Sequence, residues 1–114
     1  MQTIVTFVPD LMFGTRIEDT AKHLGYRIES LSATDDPDAV MARLSPALVV
    51  VALDAAGWER TIAAAKRAGA RVLAFGSHKN VELLRAAKAA GADEVVARSR
   101  MAAEMPNLLQ SLSK

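Results

Sequence analysis

The chain has 114 residues, of which 51% are hydrophobic and 24% charged, as in one packed globular domain and unlike a disordered or fibrous chain. Its basic and acidic side chains nearly balance at a net charge of +1. Because the basic residues are also spread along the chain, nucleic acid is not an expected partner. The chain has no cysteine, which excludes disulfides and thiolate chemistry and is compatible with a cytoplasmic location.

The first apolar run of the chain is predicted to be a buried strand. This run is interrupted by Thr6 and ended by Pro9, so it is too short for a signal peptide or a membrane span. Further β-branched runs alternate with Ala- and Leu-rich stretches, which is typical of successive βα units. Strands are predicted over residues 3–8, 26–30, 48–53, 71–75 and 94–97.

Helices are predicted between these strands. Four residues at spacings of four, four and three place an apolar stripe on a first helix that ends at Gly25; they are Phe13, Ile17, Ala21 and Leu24. Further helices are predicted over 38–44, 58–68 and 80–90, and Pro106 is tolerated at the start of a last one. Its docking stripe is formed by Leu108, Leu109 and Leu112. The pattern predicts a flavodoxin-like (βα)5 doubly wound parallel sheet, in the order 2-1-3-4-5.

In such a sheet the ligand crevice lies outside the carboxyl ends of the strands. The residues that follow the strands are therefore the candidates for function. They are Val8 to Asp10, Ala52 to Asp54, Gly76 to His78 and Arg98 to Arg100.

Three further segments carry a resemblance to a known family. They are Leu24-Gly25-Tyr26 at the end of the first helix, Ser45-Pro46-Ala47-Leu48-Val49 before strand three and Ala90-Gly91-Ala92-Asp93-Glu94 before strand five. By the order and spacing of these segments, the chain resembles the receiver domains of two-component response regulators, the CheY-like family. The resemblance covers its whole length. The resemblance implies a single signalling domain over residues 1–114, without enzymatic activity and with protein partners.

The resemblance also locates the positions of receiver chemistry. A receiver holds Mg²⁺ with two acids after strand one and accepts the phosphoryl group on a third acid after strand three. Val8 and Pro9 stand at the acid pair, and Ala52 stands at the acceptor. The hydroxyl position falls on Gly76, and the lysine position falls on Arg98. The resemblance therefore implies a pseudo-receiver that lacks the phosphorylation acids, works through protein contacts that include a possible homodimer, and needs no cofactor.

Asp10 and Asp54 are the carboxylates nearest to the missing ones. A shift of two residues is about 6–7 Å along a strand, whereas Mg²⁺ lies about 2.1 Å from its ligands. Displaced phosphoryl or metal chemistry on Asp54 and Asp10 stays an alternative. The other interpretation is that Asp10 caps the first helix and Asp54 caps the loop before the third helix.

An anion site is a second alternative, formed by Ser77, His78, Arg98 and Arg100 at the start of helix four. The competing interpretation is that these are ordinary solvated side chains. The first turn has no glycine-rich phosphate loop, so FMN and NAD are not expected. Two histidines, at positions 23 and 78, make a poor metal site.

A protein-interaction surface is the last prediction. Leu11 and Met12 lie off the apolar stripe of helix one, near Trp58 at the start of helix three. They either form an exposed contact surface or fold over the sheet as a lid. In receivers, the surface of helix four, strand five and helix five is a common contact face. On this chain that face would comprise Val81, Leu84, Lys88, Arg98 and Arg100.

Overall fold

Five strands and six helices make up the part of the chain that the computed structural model describes, residues 1–113. The strands are β1 (Thr3–Phe7), β2 (Arg27–Ser30), β3 (Leu48–Ala52), β4 (Arg71–Gly76) and β5 (Glu94–Ala97). The helices are α1 (Leu11–His23), α2 (Pro37–Leu44), α3 (Trp58–Arg67), α4 (Val81–Ala89), α5 (Arg98–Ala103) and α6 (Met105–Leu112). None of the helices within residues 1–113 is long and apolar enough to cross a membrane.

The strands form one parallel sheet in the order β2-β1-β3-β4-β5. This order confirms the fold class and topology predicted from the sequence. The strand bounds differ from the prediction by one residue at four places: β1 ends at Phe7, β2 begins at Arg27, β3 ends at Ala52 and β4 ends at Gly76.

The sheet is covered on both faces, which explains the uninterrupted apolar sequence of β3. Successive side chains of a strand point to opposite faces. Val49 and Val51 accordingly pack with Ile62 of α3, in a core that also takes in α2 and α4. Leu48 and Val50 pack with residues of α1, α5 and α6 on the other face. All five residues of β3 are buried.

The C-terminal tail differs from the prediction, because an additional helix, α5, precedes the predicted last one. Pro106 has no N–H to donate to the Ala102 carbonyl, four residues earlier, so one continuous helix cannot form there. The carbonyl oxygen of Ala102 instead accepts a hydrogen bond from Nη2 of Arg16, at 3.3 Å. The predicted docking stripe is confirmed, since Leu108 and Leu109 are buried and pack under the sheet.

Asp93 joins three elements at the amino edge of the sheet, where β5 begins. Its Oδ2 accepts hydrogen bonds from Nζ of Lys66, at 2.8 Å, and from the backbone N–H of Val72, at 2.7 Å. Nζ of Lys88 donates to the Asp93 carbonyl oxygen at 3.0 Å. Burial acts to raise the pKa of Asp93, but the hydrogen bonds from Lys66 and Val72 outweigh it and lower that pKa. Asp93 therefore ties the end of α3 and the end of α4 to the start of β4.

Candidate functional site

Arg98 is the central side chain at the carboxyl edge of the sheet. It begins α5 directly after β5, and its Nη2 lies 2.7 Å from Oδ2 of Asp10. The guanidinium also lies over the ring of Phe13, 4.4 Å from the ring centroid, and 5.9 Å from the centroid of Phe75. The Arg98 charge is thus paired with a carboxylate and stacked on an aromatic ring of the same chain.

Asp10 is held in place by its second contact. Its Oδ1 accepts a hydrogen bond from the backbone N–H of Phe13 at 3.1 Å, which makes Asp10 the N-cap of α1. The predicted capping role of Asp10 is therefore confirmed. The Phe13 N–H and then the Arg98 guanidinium hold the pKa of Asp10 below its ordinary value, although partial desolvation opposes them. Asp10 is charged near neutral pH, and each of its carboxylate oxygens already has a partner in the chain.

The end of β3 carries no acid at the position where a receiver accepts the phosphoryl group. Ala52 is buried there, and Leu53 after it is buried as well. Asp54 is exposed. One interpretation of the sequence was that Asp54 caps the loop before the third helix. The N-cap of α3 is Gly57, and no side chain hydrogen-bonds there. At Gly57 the backbone φ is 88°, a left-handed conformation that glycine adopts without steric cost.

A cavity of about 200 Å³ lies over the carboxyl ends of β4 and β5. Asp54, Ser77, Asn80 and Arg98 line it. Asn80 also caps α4, where its Oδ1 accepts a hydrogen bond from Leu83 N at 3.2 Å. The sequence indicated Asn80 only as a helix cap, and its place in the cavity depends on the loop that joins β4 to α4.

The structure brings together two of the four residues predicted as an anion site. Ser77 and Arg98 share the cavity, whereas His78 and Arg100 are absent from its wall. Arg100 is engaged elsewhere, with Glu104 at 3.2 Å and Glu94 at 3.7 Å. Arg100 belongs to α5, which begins directly after β5, and it does not line the cavity with Arg98.

Within residues 1–113, no three His, Cys, Asp or Glu side chains are grouped so that they could hold a metal ion. Asp10 and Asp54 therefore do not form part of such a group with a third ligand in this region. Asp10 is bound to Arg98 instead, and Asp54 faces the cavity.

The predicted interaction residues lie in three separate places. Leu11 and Met12 are 84% and 83% exposed, so they do not form the lid that was one interpretation. Trp58 is half-buried and packs against the core on the α3 face. Val81, which is 49% exposed, lines an open depression together with Leu84, Arg85, Lys88, Glu94 and Val95.

A larger cleft, of about 460 Å³, lies at the carboxyl ends of β1 and β2. It was not predicted from the sequence, because its walls come from α1 and from the connections after β1, β2 and β3. Gly14, in the second turn of α1, lines the cleft. A glycine inside an amphipathic helix was the one signal in the sequence that could have pointed to it.

Comparisons with known proteins agree with this architecture. The orphan response regulator HP1043 of H. pylori superposes with a TM-score of 0.81 at 16% identity, over 99% of this chain and 97% of that one. The receiver domain of a DNA-binding response regulator from Colwellia psychrerythraea gives a TM-score of 0.82 at 15% identity, with 98% of both chains covered. A LuxR-family response regulator from Staphylococcus aureus gives 0.80 at 14% identity, over 100% of both chains.

The chain thus has the fold of receiver domains, and the resemblance predicted from the sequence is confirmed at the level of the fold. No protein-family model matches the sequence. No curated protein matches it either.

Proposed function

We propose that the chain is a signalling module of the receiver type that acts through protein contacts and without phosphorylation of an aspartate. The observation that carries the proposal is the contact of Arg98 with Asp10 and Phe13. A receiver needs the cation at the end of β5 to bind the phosphoryl group. Here the corresponding cation is already paired with a carboxylate and stacked on an aromatic ring.

The residues around Arg98 support the same proposal. Ala52 has no group that could accept a phosphoryl, and Pro9 offers neither a carboxylate nor an N–H. Asp54 lies two residues beyond the acceptor position and is exposed. Phosphorylation of Asp54 would therefore have to occur on a solvated side chain, without the second and third acids that a receiver uses.

The test is a titration with Mg²⁺ and beryllofluoride, followed by the amide chemical shifts of the protein in NMR spectra. We expect no saturable shift at residues 52–54 or 76–77. Asp54→Asn is the matched variant. Saturable shifts that disappear in Asp54→Asn would show that Asp54 takes part in phosphoryl chemistry and would refute the proposal.

The contact face that we propose is the depression between α4 and β5. Val81, Leu84 and Val95 are its apolar lining residues, and Arg85, Lys88 and Glu94 are its charged ones. Two copies related by a twofold axis could bury these apolar residues and pair these opposite charges, since a twofold contact uses the same patch on both copies. The face therefore suits a second copy of the chain or a protein with a similar patch.

Sedimentation equilibrium tests this face. Val81→Glu places an unpaired charge among its apolar residues and should weaken self-association by about tenfold or more. Ala86→Glu is the control, because Ala86 is exposed on α4 and does not line the depression. Equal effects of the two variants, or a wild type that stays monomeric at every concentration, would refute self-association through this face.

An anion sensor is the second candidate, and the cavity lined by Ser77, Asn80 and Arg98 favours it. Its hydroxyl, amide and guanidinium groups can all donate hydrogen bonds to an oxyanion. Inorganic phosphate at a hundred times its Kd would add about 2.7 kcal/mol to the stability of the protein. A melting temperature that does not change with phosphate, nucleotides or carboxylates would eliminate this candidate.

A further inference from the structure

The cleft at the carboxyl ends of β1 and β2 has the size of a small-molecule site. Its volume is about 460 Å³, which falls in the range of about 300–1,000 Å³ that is usual for ligand pockets. Phe7 and Leu31, which line it, are buried and apolar, and the buried Thr6 lines it as well. Exposed Leu11 and Ala33 stand on its margin. The cleft therefore offers apolar surface and an open entrance.

Gly14 contributes to the space in this cleft without any backbone reason to be glycine. It lies inside α1 and does not have a positive φ. A Cβ at this position would meet the Val8 carbonyl oxygen at 3.5 Å, an ordinary contact, so alanine would fit. Because glycine in a helix costs about 0.5–1 kcal/mol relative to alanine, the chain gives up stability at a position where a side chain would narrow the cleft.

The charge of the cleft selects its ligand. Glu18 is the one charged side chain among the lining residues in the described region, which include no Lys, Arg or His. One oxygen of Glu18 accepts a hydrogen bond from the Ser30 hydroxyl at 2.8 Å, and Glu18 forms none of the ion pairs found in residues 1–113. Pro9, on the cleft wall, has no N–H to offer an anion. The lining thus carries one negative and no positive charge, which favours a cationic ligand.

We propose that this cleft binds a compact organic cation, with an apolar body about the size of one ring and an ammonium group. The body would lie on Phe7 and Leu31, and the ammonium group would donate to the free oxygen of Glu18. In open α/β sheets, ligands bind outside the carboxyl ends of the strands where the strand order reverses. The cleft lies at the carboxyl ends of β1 and β2 and is bordered by Ala56 from the connection after β3, so it adjoins the position between β1 and β3 where the order reverses. It lies apart from the α4–β5 depression, so ligand binding goes beyond the proposed protein contacts.

Three probes of matched shape test the charge selectivity: phenethylamine, phenethyl alcohol and phenylacetate. Binding is followed by amide chemical shifts in NMR titrations that extend to millimolar probe. We expect saturable shifts at residues 14–18 and 30–33, strongest with the amine, weaker with the alcohol and absent with the carboxylate. Glu18→Gln keeps the size of the side chain and removes its charge. It should weaken the binding of the amine by about tenfold and leave the binding of the alcohol unchanged.

Two further variants decide whether the cleft itself is the site. Ala33→Trp, on the exposed margin, should fill the entrance and abolish binding of both the amine and the alcohol. Glu29→Gln is the control for charge, because Glu29 is exposed on β2 and does not line the cleft. The proposal is overturned by an absence of saturable shifts in the wild type, by equal binding of amine and carboxylate, or by equal effects of Glu18→Gln and Glu29→Gln. These results leave the proposed function untouched, since its tests use other residues and other ligands.

Discussion

Replacement of Asp93 is the most informative test of how the fold is held together at the amino edge of the sheet. Oδ2 of Asp93 accepts from the Lys66 ammonium at 2.8 Å and from the Val72 N–H at 2.7 Å. A hydrogen bond to a charged group contributes about 1.5–3 kcal/mol to stability. Because the Asp93 side chain is 35% exposed, solvent screening brings the expected loss in Asp93→Ala down to about 2 kcal/mol.

Asp93→Asn tests the carboxylate charge separately from the hydrogen-bond acceptor. Its amide oxygen can still accept from Val72 N, but the ion pair with Lys66 is lost, so we expect a loss of about 1 kcal/mol. For a domain of this size, each kcal/mol lowers the melting temperature by about 4 °C. Differential scanning calorimetry should therefore show decreases of about 4 °C for Asp93→Asn and about 8 °C for Asp93→Ala.

The contribution of Asp93 to stability depends on pH, and the direction of its pKa shift determines how. The pKa of Asp93 is lower in the folded state than in the unfolded state, so the unfolded chain binds the additional proton as the pH falls. Its contribution to stability is complete above the unfolded pKa of about 3.9 and is lost as the pH falls through the folded pKa. The difference in stability between wild type and Asp93→Asn should thus be largest at neutral pH and shrink as the pH falls below about 3.9.

Asp19→Asn is the control for Asp93→Asn, because it removes the same charge from an exposed position in α1. A difference in stability between wild type and Asp93→Asn that does not change with pH would refute the role assigned to the carboxylate charge. Equal losses in Asp93→Asn and Asp19→Asn would refute the role assigned to its two partners.

Three other substitutions test single features of the fold by thermal unfolding. Gly14→Ala should raise stability by about 0.5–1 kcal/mol, because it removes a glycine from a helix without a steric conflict; a loss would show that the position is tightly packed. Gly57→Ala should lower stability by about 1 kcal/mol or more, since its φ of 88° strains a residue with a side chain. Tyr26→Phe removes the nearer of two partners of the buried Ser113 hydroxyl, which lies 2.6 Å from the Tyr26 hydroxyl and 3.3 Å from the Gln110 carbonyl oxygen, and should cost about 1 kcal/mol. An unchanged stability of Gly57→Ala or of Tyr26→Phe would contradict the role assigned to that residue.

The contact of Arg98 with Asp10 joins the segments that follow β1 and β5 at the carboxyl edge of the sheet. It explains why a cation at the end of β5 does not by itself indicate phosphoryl binding in this chain. The same contact joins the N-cap of α1 to the first residue of α5. A protein that binds near α5 and displaces this ion pair would therefore act on the start of α1.

The local pattern of residues was sufficient to predict the architecture. β3 is recognisable because a strand covered on both faces must be apolar throughout, and the ends of α3 and α4 are marked by Gly69 and Gly91, which adopt positive φ. The Asp10 cap was predictable for the same reason, since it depends on a backbone N–H only three residues away. Features set by near neighbours along the chain are thus present in the sequence itself.

The arrangement of the candidate sites was decided by tertiary structure. The contact of Arg98 with Asp10 spans 88 residues, and the start of α5 directly after β5 separates Arg100 from Ser77. The cleft around Glu18 exists because three connections and one face of α1 converge on the ends of β1 and β2. Periodicity and capping describe residues within one element, whereas a cavity or an ion pair depends on the distance between elements that only the packed sheet determines.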